Sequence, residues 1–130
     1  MEKIIPVVTL KSVEERTKVL TALKNNNINC AEICFRTDCA EQAITLATKE
    51  FPDMNIGAGT VINKEQAVNA IKAGAKFIVS PGLSEDVAKV CKKKNIPYYP
   101  GCVTPTLSDS FFLSFNVFPL FNGLFFTLHQ

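Results

Sequence analysis

Three consecutive stretches decide the fold: Cys30-Ala31-Glu32-Ile33-Cys34-Phe35-Arg36, the charged segment from Asp38 to Phe51, and Asn55-Ile56-Gly57-Ala58-Gly59-Thr60-Val61. The first and third are short apolar runs, and the segment between them has helical spacing. Together they read as a βαβ unit, in which a crossover helix joins two parallel strands. The same alternation continues outward. Upstream lie a run from Ile4 to Thr9 and a helical segment from Ser12 to Asn26. Downstream come helices over Lys64–Ala73 and Glu85–Lys94, with apolar runs from Phe77 to Ser80 and from Pro97 to Gly101.

Helix boundaries carry their own signals. Ser12 precedes Glu14 and Glu15, Asn63 precedes Glu65, and Ser84 precedes Glu85 and Asp86, the pattern of an N-cap followed by an acidic first turn. Stops are marked by Asn25-Asn26-Asn27, by Gly74 and by Asn95 ahead of Pro97. One face of each helix is apolar: Val13, Leu20 and Leu23 in the first, Ala67, Ala70 and Ile71 in the third. The expected fold class is therefore α/β, a parallel (β/α) barrel of the TIM type, incomplete at four βα units and a fifth strand. A closed barrel needs eight units and typically about 250 residues, ~200 in compact cases.

Bulk properties narrow the function. The 130 residues form one domain by length, and a hydrophobic content of 47% with 20% charge is globular. A net charge of +2, without a basic stripe interleaved with aromatics, argues against nucleic acid. Lys92-Lys93-Lys94 reads as a solvated last helical turn. Cys30, Cys34, Cys39, Cys91 and Cys102 form no C-x-x-C pair, and His129 is the single histidine, so no metal site is expected and the thiols read as free. The N-terminus lacks the apolar stretch and cleavage site of a signal peptide, which makes the cytoplasm the expected location.

Beyond Thr106 the composition changes. Residues 107–130 hold no Lys or Arg, one acid (Asp109), and Phe111, Phe112, Phe115, Phe118, Phe121, Phe125 and Phe126 out of ten phenylalanines. Neither a period of 2 nor one of 3.6 organises them. A membrane anchor is opposed by Asn116, Pro119, Asn122 and Gly123 inside the uncharged window from Phe111 to Leu128. A sheet-like extension is the second reading. The favoured third is a shifted reading frame in an A/T-rich gene, which yields Phe, Leu and Ser runs; translating the other two frames from codon 106 tests it. The chain thus divides into 1–106, half a barrel, and 107–130, a divergent Phe-rich tail.

Candidate chemistry sits at strand ends. Alternation along the second strand sends Glu32, Cys34 and Arg36 to one face and Ile33 and Phe35 to the other. A carboxylate inside a barrel is costly unless paired or working, and Arg36 lies at the C-terminal end, where barrel sites are built. A self-satisfied Glu32–Arg36 pair is the structural alternative. Gly57-Ala58-Gly59-Thr60-Val61 lacks the third glycine of a dinucleotide fingerprint, Ile62 standing in its place. It reads either as tight packing or as close approach of a ligand, with the Thr60 hydroxyl donating to a carboxylate or phosphate. Ser80-Pro81-Gly82 and Pro100-Gly101-Cys102-Val103-Thr104-Pro105-Thr106 end the fourth and fifth strands on the same rim.

Together with Pro6-Val7-Val8, Glu32-Ile33-Cys34-Phe35-Arg36-Thr37 and Thr104-Pro105-Thr106, these segments resemble the 2-keto-3-deoxy-6-phosphogluconate (KDPG) aldolases, also called 4-hydroxy-2-oxoglutarate (KHG) aldolases, over residues 3–106. The resemblance implies a homotrimeric barrel lyase that splits a small phosphorylated 2-keto acid into pyruvate and an aldehyde through a Schiff base, without metal or other cofactor. It implies that Glu32 is the general acid/base, that Arg36 and Thr60 clamp the pyruvate carboxylate, and that Pro81 lines the substrate.

Departures from the family pattern are equally specific. Leu107 stands where the family continues Thr-Pro-Thr with Glu. Its nucleophilic lysine lies in a Lys-x-Phe-Pro motif, and the nearest match, Asn116-Val117-Phe118-Pro119, offers an amide, which forms no iminium with a ketone. Lys11 lies at the correct rim but exposed, and Lys76 at the wrong end. The expectation is a Schiff-base aldolase without its lysine, impaired in catalysis, with a non-catalytic carboxylate binder as the alternative. A half barrel with two bare sheet edges would also need copies to pair edge to edge.

Overall fold

The computed structural model describes residues 4–101 and 124–128. Its elements alternate as read from the sequence: β1 (Ile4–Val8), α1 (Glu15–Asn25), β2 (Cys30–Cys34), α2 (Ala40–Glu50), β3 (Asn55–Gly59), α3 (Lys64–Ala73), β4 (Ile78–Ser80), α4 (Glu85–Lys94) and β5 (Tyr98–Pro100). A further strand, β6 (Leu124–Leu128), follows. The sheet order is β5-β4-β3-β2-β1-β6, with every neighbouring pair parallel. This is the parallel α/β architecture of a partial barrel, and β5 and β6 are its edges.

β6 falls inside the Phe-rich tail. Among the three readings of that tail, a sheet-like extension is what Leu124–Leu128 forms, in register with β1 from Ile4↔Leu124 to Val8↔Leu128. A short continuous apolar run suits a strand of a parallel sheet even without alternation. The rest of the tail, including Asn116-Val117-Phe118-Pro119, lies outside the described residues, as do Cys102 and His129.

Two helix starts obey their sequence signals and one does not. Asn63 Oδ1 accepts from the Gln66 amide and Ser84 Oγ from the Val87 amide, as N-caps do. α1 begins three residues after Ser12, with Glu14 at the N-cap and no side-chain cap. Instead the Glu15 carboxylate accepts from the Lys11 amide. Gly74 (φ 109°) and Asn95 (φ 56°) close α3 and α4 in the left-handed conformation.

The helices cover one face of the sheet. Val8, Ala31, Ile33, Ile56, Ala58, Ile78 and Tyr98 pack there against Leu20, Leu23, Ala43, Ile44, Ala47, Ala67, Ala70, Val87 and Ala88. In α1 the buried set is Val19, Leu20 and Leu23, and in α3 it is Ala67, Ala70 and Ala73; of the expected faces, Val13 precedes α1 and Ile71 is only half-buried. Small residues in α2 and α3 let the helices sit close on the sheet. The opposite, inner face carries a separate cluster of Ile5, Cys30, Phe77 and Val79 with Tyr99 against it. No described helix is long and apolar enough to cross a membrane.

Candidate functional site

Parallel pairing brings the C-terminal ends of the strands to one rim. Rim loops are tied strand to strand: the Phe35 amide donates to the Gly59 carbonyl (2.8 Å), Val61 to Val79 (3.1 Å) and Gly101 to Ser80 (2.8 Å). Arg36, Thr60 and Pro81 therefore stand on consecutive loops of the same rim, after β2, β3 and β4. Glu32 lies just below them on β2.

Glu32 has the register of an inward residue. Its strand neighbours Ala31 and Ile33 belong to the helix-facing core, and Cys30 belongs to the inner cluster. Its carboxyl leans across β3, where a Cβ on Gly59 would overlap it, so only glycine leaves room for this acid. Gly57 is required for the same reason by the Phe77 ring, whose edge meets Tyr99 at a centroid distance of 5.9 Å. The two glycines of Gly57-Ala58-Gly59 thus serve packing around a buried acid.

The site's electrostatics centre on that acid. Glu32 is 4% exposed, and its Oε2 makes no hydrogen bond among the described residues. Desolvation pushes its pKa up from 4.5 to about 7, against the opposing pull of the Arg36 guanidinium. Burial outweighs the pull of Arg36, which is exposed. Arg36 lines an open polar groove of about 380 Å³ that also holds the Asp38, Glu41 and Glu65 carboxylates beside Asn63 and Gln66, and neither Glu32 nor Thr60 lines it. Thr60 adopts φ 55°. That conformation is strained for a β-branched residue, and such strain is retained mainly where the side chain must be held in place.

Pro81 is exposed, and its carbonyl lies where a Cβ on Gly101 would intrude. Behind it, Ser80 faces the helices rather than the interior. Its hydroxyl is 2.6 Å from the Gly82 carbonyl and 2.5 Å from the Tyr98 hydroxyl, which also accepts from the Ser84 amide at 3.2 Å. This buried network pins the loop that presents Pro81. Sequence reading did not single out Tyr98, because an apolar run ending in Tyr-Tyr-Pro gives no sign of which ring carries a buried hydrogen bond. Thr9 was also passed over. Its Oγ1 is buried without a hydrogen-bond partner, and the pairing Val7↔Glu32 puts it on the inner face.

Every lysine among the described residues is exposed. Lys11 follows β1 at the rim. Lys76 donates to the Pro52 and Met54 carbonyls at the opposite end. Cys34, Cys39 and Cys91 are thiols outside any disulfide, and burial pushes Cys91 up to about 12, which makes it inert. No group of three or more metal-ligating side chains occurs among the described residues.

Comparison with known proteins gives a consistent picture. The family model "KDPG and KHG aldolase" matches residues 1–123. The 2-dehydro-3-deoxy-phosphogluconate aldolase of Treponema pallidum is 42% identical over 104 residues, 80% of this chain and 50% of the relative. The KHG/KDPG aldolase of Escherichia coli K12 is 38% identical over 101 residues, 78% of this chain and 47% of the relative. The chain thus spans about half the length of the curated relatives it matches. Among solved structures, the 2-keto-3-deoxy-6-phosphogluconate aldolase of Zymomonas mobilis with 3-phosphoglycerate superposes with a TM-score of 0.78 at 30% identity, covering 88% of this chain and 54% of that one. The KDPG aldolase of Legionella pneumophila, with pyruvate captured as a covalent carbinolamine, gives 0.76 at 34% identity, covering 88% and 53%.

Proposed function

Because the chain belongs to the KDPG and KHG aldolase family, we propose that residues 4–101 form the pyruvate-handling half of an aldolase site: they bind a small 2-keto acid and move its protons. The complete family reaction would cleave 2-keto-3-deoxy-6-phosphogluconate or 4-hydroxy-2-oxoglutarate to pyruvate and an aldehyde. In this reading Arg36 and the Thr60 hydroxyl hold the carboxylate, Pro81 walls the substrate, and Glu32 is the general acid/base. One observation carries it: a carboxyl buried under a glycine, with its pKa raised to about 7, beside the rim that bears Arg36. Near neutral pH such a group is present both as acid and as base, which suits it to give and take protons at carbon and oxygen.

Schiff-base formation is not assigned to this chain. Every described lysine is exposed, and the Lys76 ammonium is engaged by the Pro52 and Met54 carbonyls. Carboxylate binding with proton exchange is what Glu32, Arg36 and Thr60 support. Arg36, Thr60 and Glu32 come from one chain, so the reading does not depend on the trimer that the resemblance implies; cytoplasmic residence belongs to the same proposal.

Pyruvate titration followed by calorimetry, with borohydride trapping and mass spectrometry in parallel, tests this. Saturable binding that Arg36→Gln weakens about tenfold or more is expected, since a charged hydrogen bond is lost, together with no covalent adduct. Glu32→Gln should leave affinity largely intact. A pyruvyl adduct on a lysine would restore full aldolase chemistry to the chain, and an absence of binding would end the proposal.

A further inference from the structure

Among the described residues, three buried side-chain polar atoms have no hydrogen-bond partner: Arg16 Nε, Thr9 Oγ1 and Glu32 Oε2. Arg16 opens α1 beside Glu15, and its terminal nitrogens are engaged by the Val13 carbonyl and the Glu50 carboxylate. The other two share one face and one end of the sheet. Pairing of Val7 with Glu32 and of Val8 with Ile33 carries Thr9 to a level with Cys34. Alternation then sends Thr9 inward with Ile5, while Val8 and Leu10 join the helix-facing core. On the other side of Cys34, the Glu32 carboxyl leans over Gly59 of β3. Neighbouring strands stand about 4.8 Å apart, so a hydroxyl on β1 and a carboxyl over β3 flank Cys34 within reach of one small ligand.

A buried hydroxyl without a partner is costly, and its presence calls for a physical reason such as strain, an ordered water or ion, or a bound ligand. Valine in the same shape would remove that cost. We propose that the Thr9 hydroxyl is a substrate-binding group that donates a hydrogen bond to the C2 oxygen of a bound 2-keto acid, on the side of the mouth opposite Glu32. The assignment rests on the pyruvate-handling reading above. There Arg36 and Thr60 occupy the carboxylate and Glu32 handles protons, which leaves the C2 oxygen as the one polar atom of the ligand still to be met. Threonine is a donor that fits this acceptor, and the Cys34 thiol between the two groups is at most a weak donor. Thr9 then serves specificity, separating 2-keto acids from plain carboxylates of the same length.

The test compares pyruvate with propionate, which keeps the carboxylate and the carbon count but has CH2 at C2. Binding of both is measured calorimetrically for the parent chain, Thr9→Val and Thr9→Ser, alongside thermal unfolding. Thr9→Val should weaken pyruvate about tenfold, the worth of one hydrogen bond, leave propionate unchanged and leave Tm equal or higher; Thr9→Ser should stay near the parent. A parent chain that prefers pyruvate while Thr9→Val binds it equally well overturns the role of Thr9 alone. Equal losses for both ligands also overturn it, since they mark a general disturbance. A parent chain that binds neither ligand removes the underlying reading, and this one with it.

Discussion

The two faces of the sheet are built on opposite rules. Toward the helices, Ala31, Ile56, Ala58 and Ile78 are fully buried, and the polar groups present there, Ser80 and Tyr98, bond to each other. Toward the interior, the same strands present Glu32 and Thr9 with unmatched oxygens, and two glycines make room for the acid and a phenyl ring. Buried polar groups left unsatisfied reduce stability. The helix-facing side must therefore carry the cost of the inner one. Where a fold tolerates such a face, the physical reason to look for is a ligand.

The strongest challenge to this contrast is a cavity on the helix side. Ile56 is 0% exposed on β3, which is flanked by β2 and β4. Ile56→Ala should cost about 2–5 kcal/mol, from lost burial plus the void left behind, read as a fall in urea midpoint at constant m. A cost under about 1 kcal/mol would show that this face is loosely packed and that the division between stability and binding is false.

A second challenge comes from pH. The folded pKa of Glu32 is raised from 4.5 to about 7, so the native state binds this proton more tightly than the unfolded chain does. Its contribution is fully present below about pH 4.5 and is lost as pH rises through about 7. At pH 8 the buried carboxylate should cost on the order of 3 kcal/mol relative to its acid form. Glu32→Gln should therefore gain on the parent chain by up to that amount between pH 5 and pH 8, in denaturation at both values. A gap that does not change with pH would mean that Glu32 is solvated, and the inner face would lose its distinguishing feature.

How far the sequence reveals each face follows from the same contrast. Apolar period and caps write the helix side plainly: α3 and α4 fall on the residues expected from Asn63, Ser84, Gly74 and Asn95. The inward turn of Glu32 was also readable, because Ala31 and Ile33 leave it no other face. What stayed hidden depends on contacts between distant strands. That Gly59 makes room for the Glu32 carboxyl, that Tyr98 rather than Tyr99 holds Ser80, and that Thr9 reaches the level of Cys34 all require the register of the sheet, which single residues do not encode. The bounds of β6 were hidden for another reason: a sheet-like extension was one reading of the tail, but no period of 2 marks Leu124–Leu128 within it.

The smallest effect tests whether the outer layer at the rim is purely structural. Ser12 and Ser84 carry the same sequence signal, a serine ahead of acidic residues, yet only Ser84 caps its helix, through a 3.3 Å bond from the Val87 amide. Ser84→Ala should cost about 1 kcal/mol in thermal or urea unfolding, the usual worth of an N-cap, and Ser12→Ala should cost close to nothing. Neither should alter pyruvate affinity. Ser84 lies three residues beyond Pro81, so it is the more searching of the two for binding. If its removal weakened pyruvate as much as it weakened the fold, the Ser80–Tyr98–Ser84 network would belong to the site rather than to the scaffold, and the boundary between the two faces would run through the β4–α4 loop instead of along the sheet.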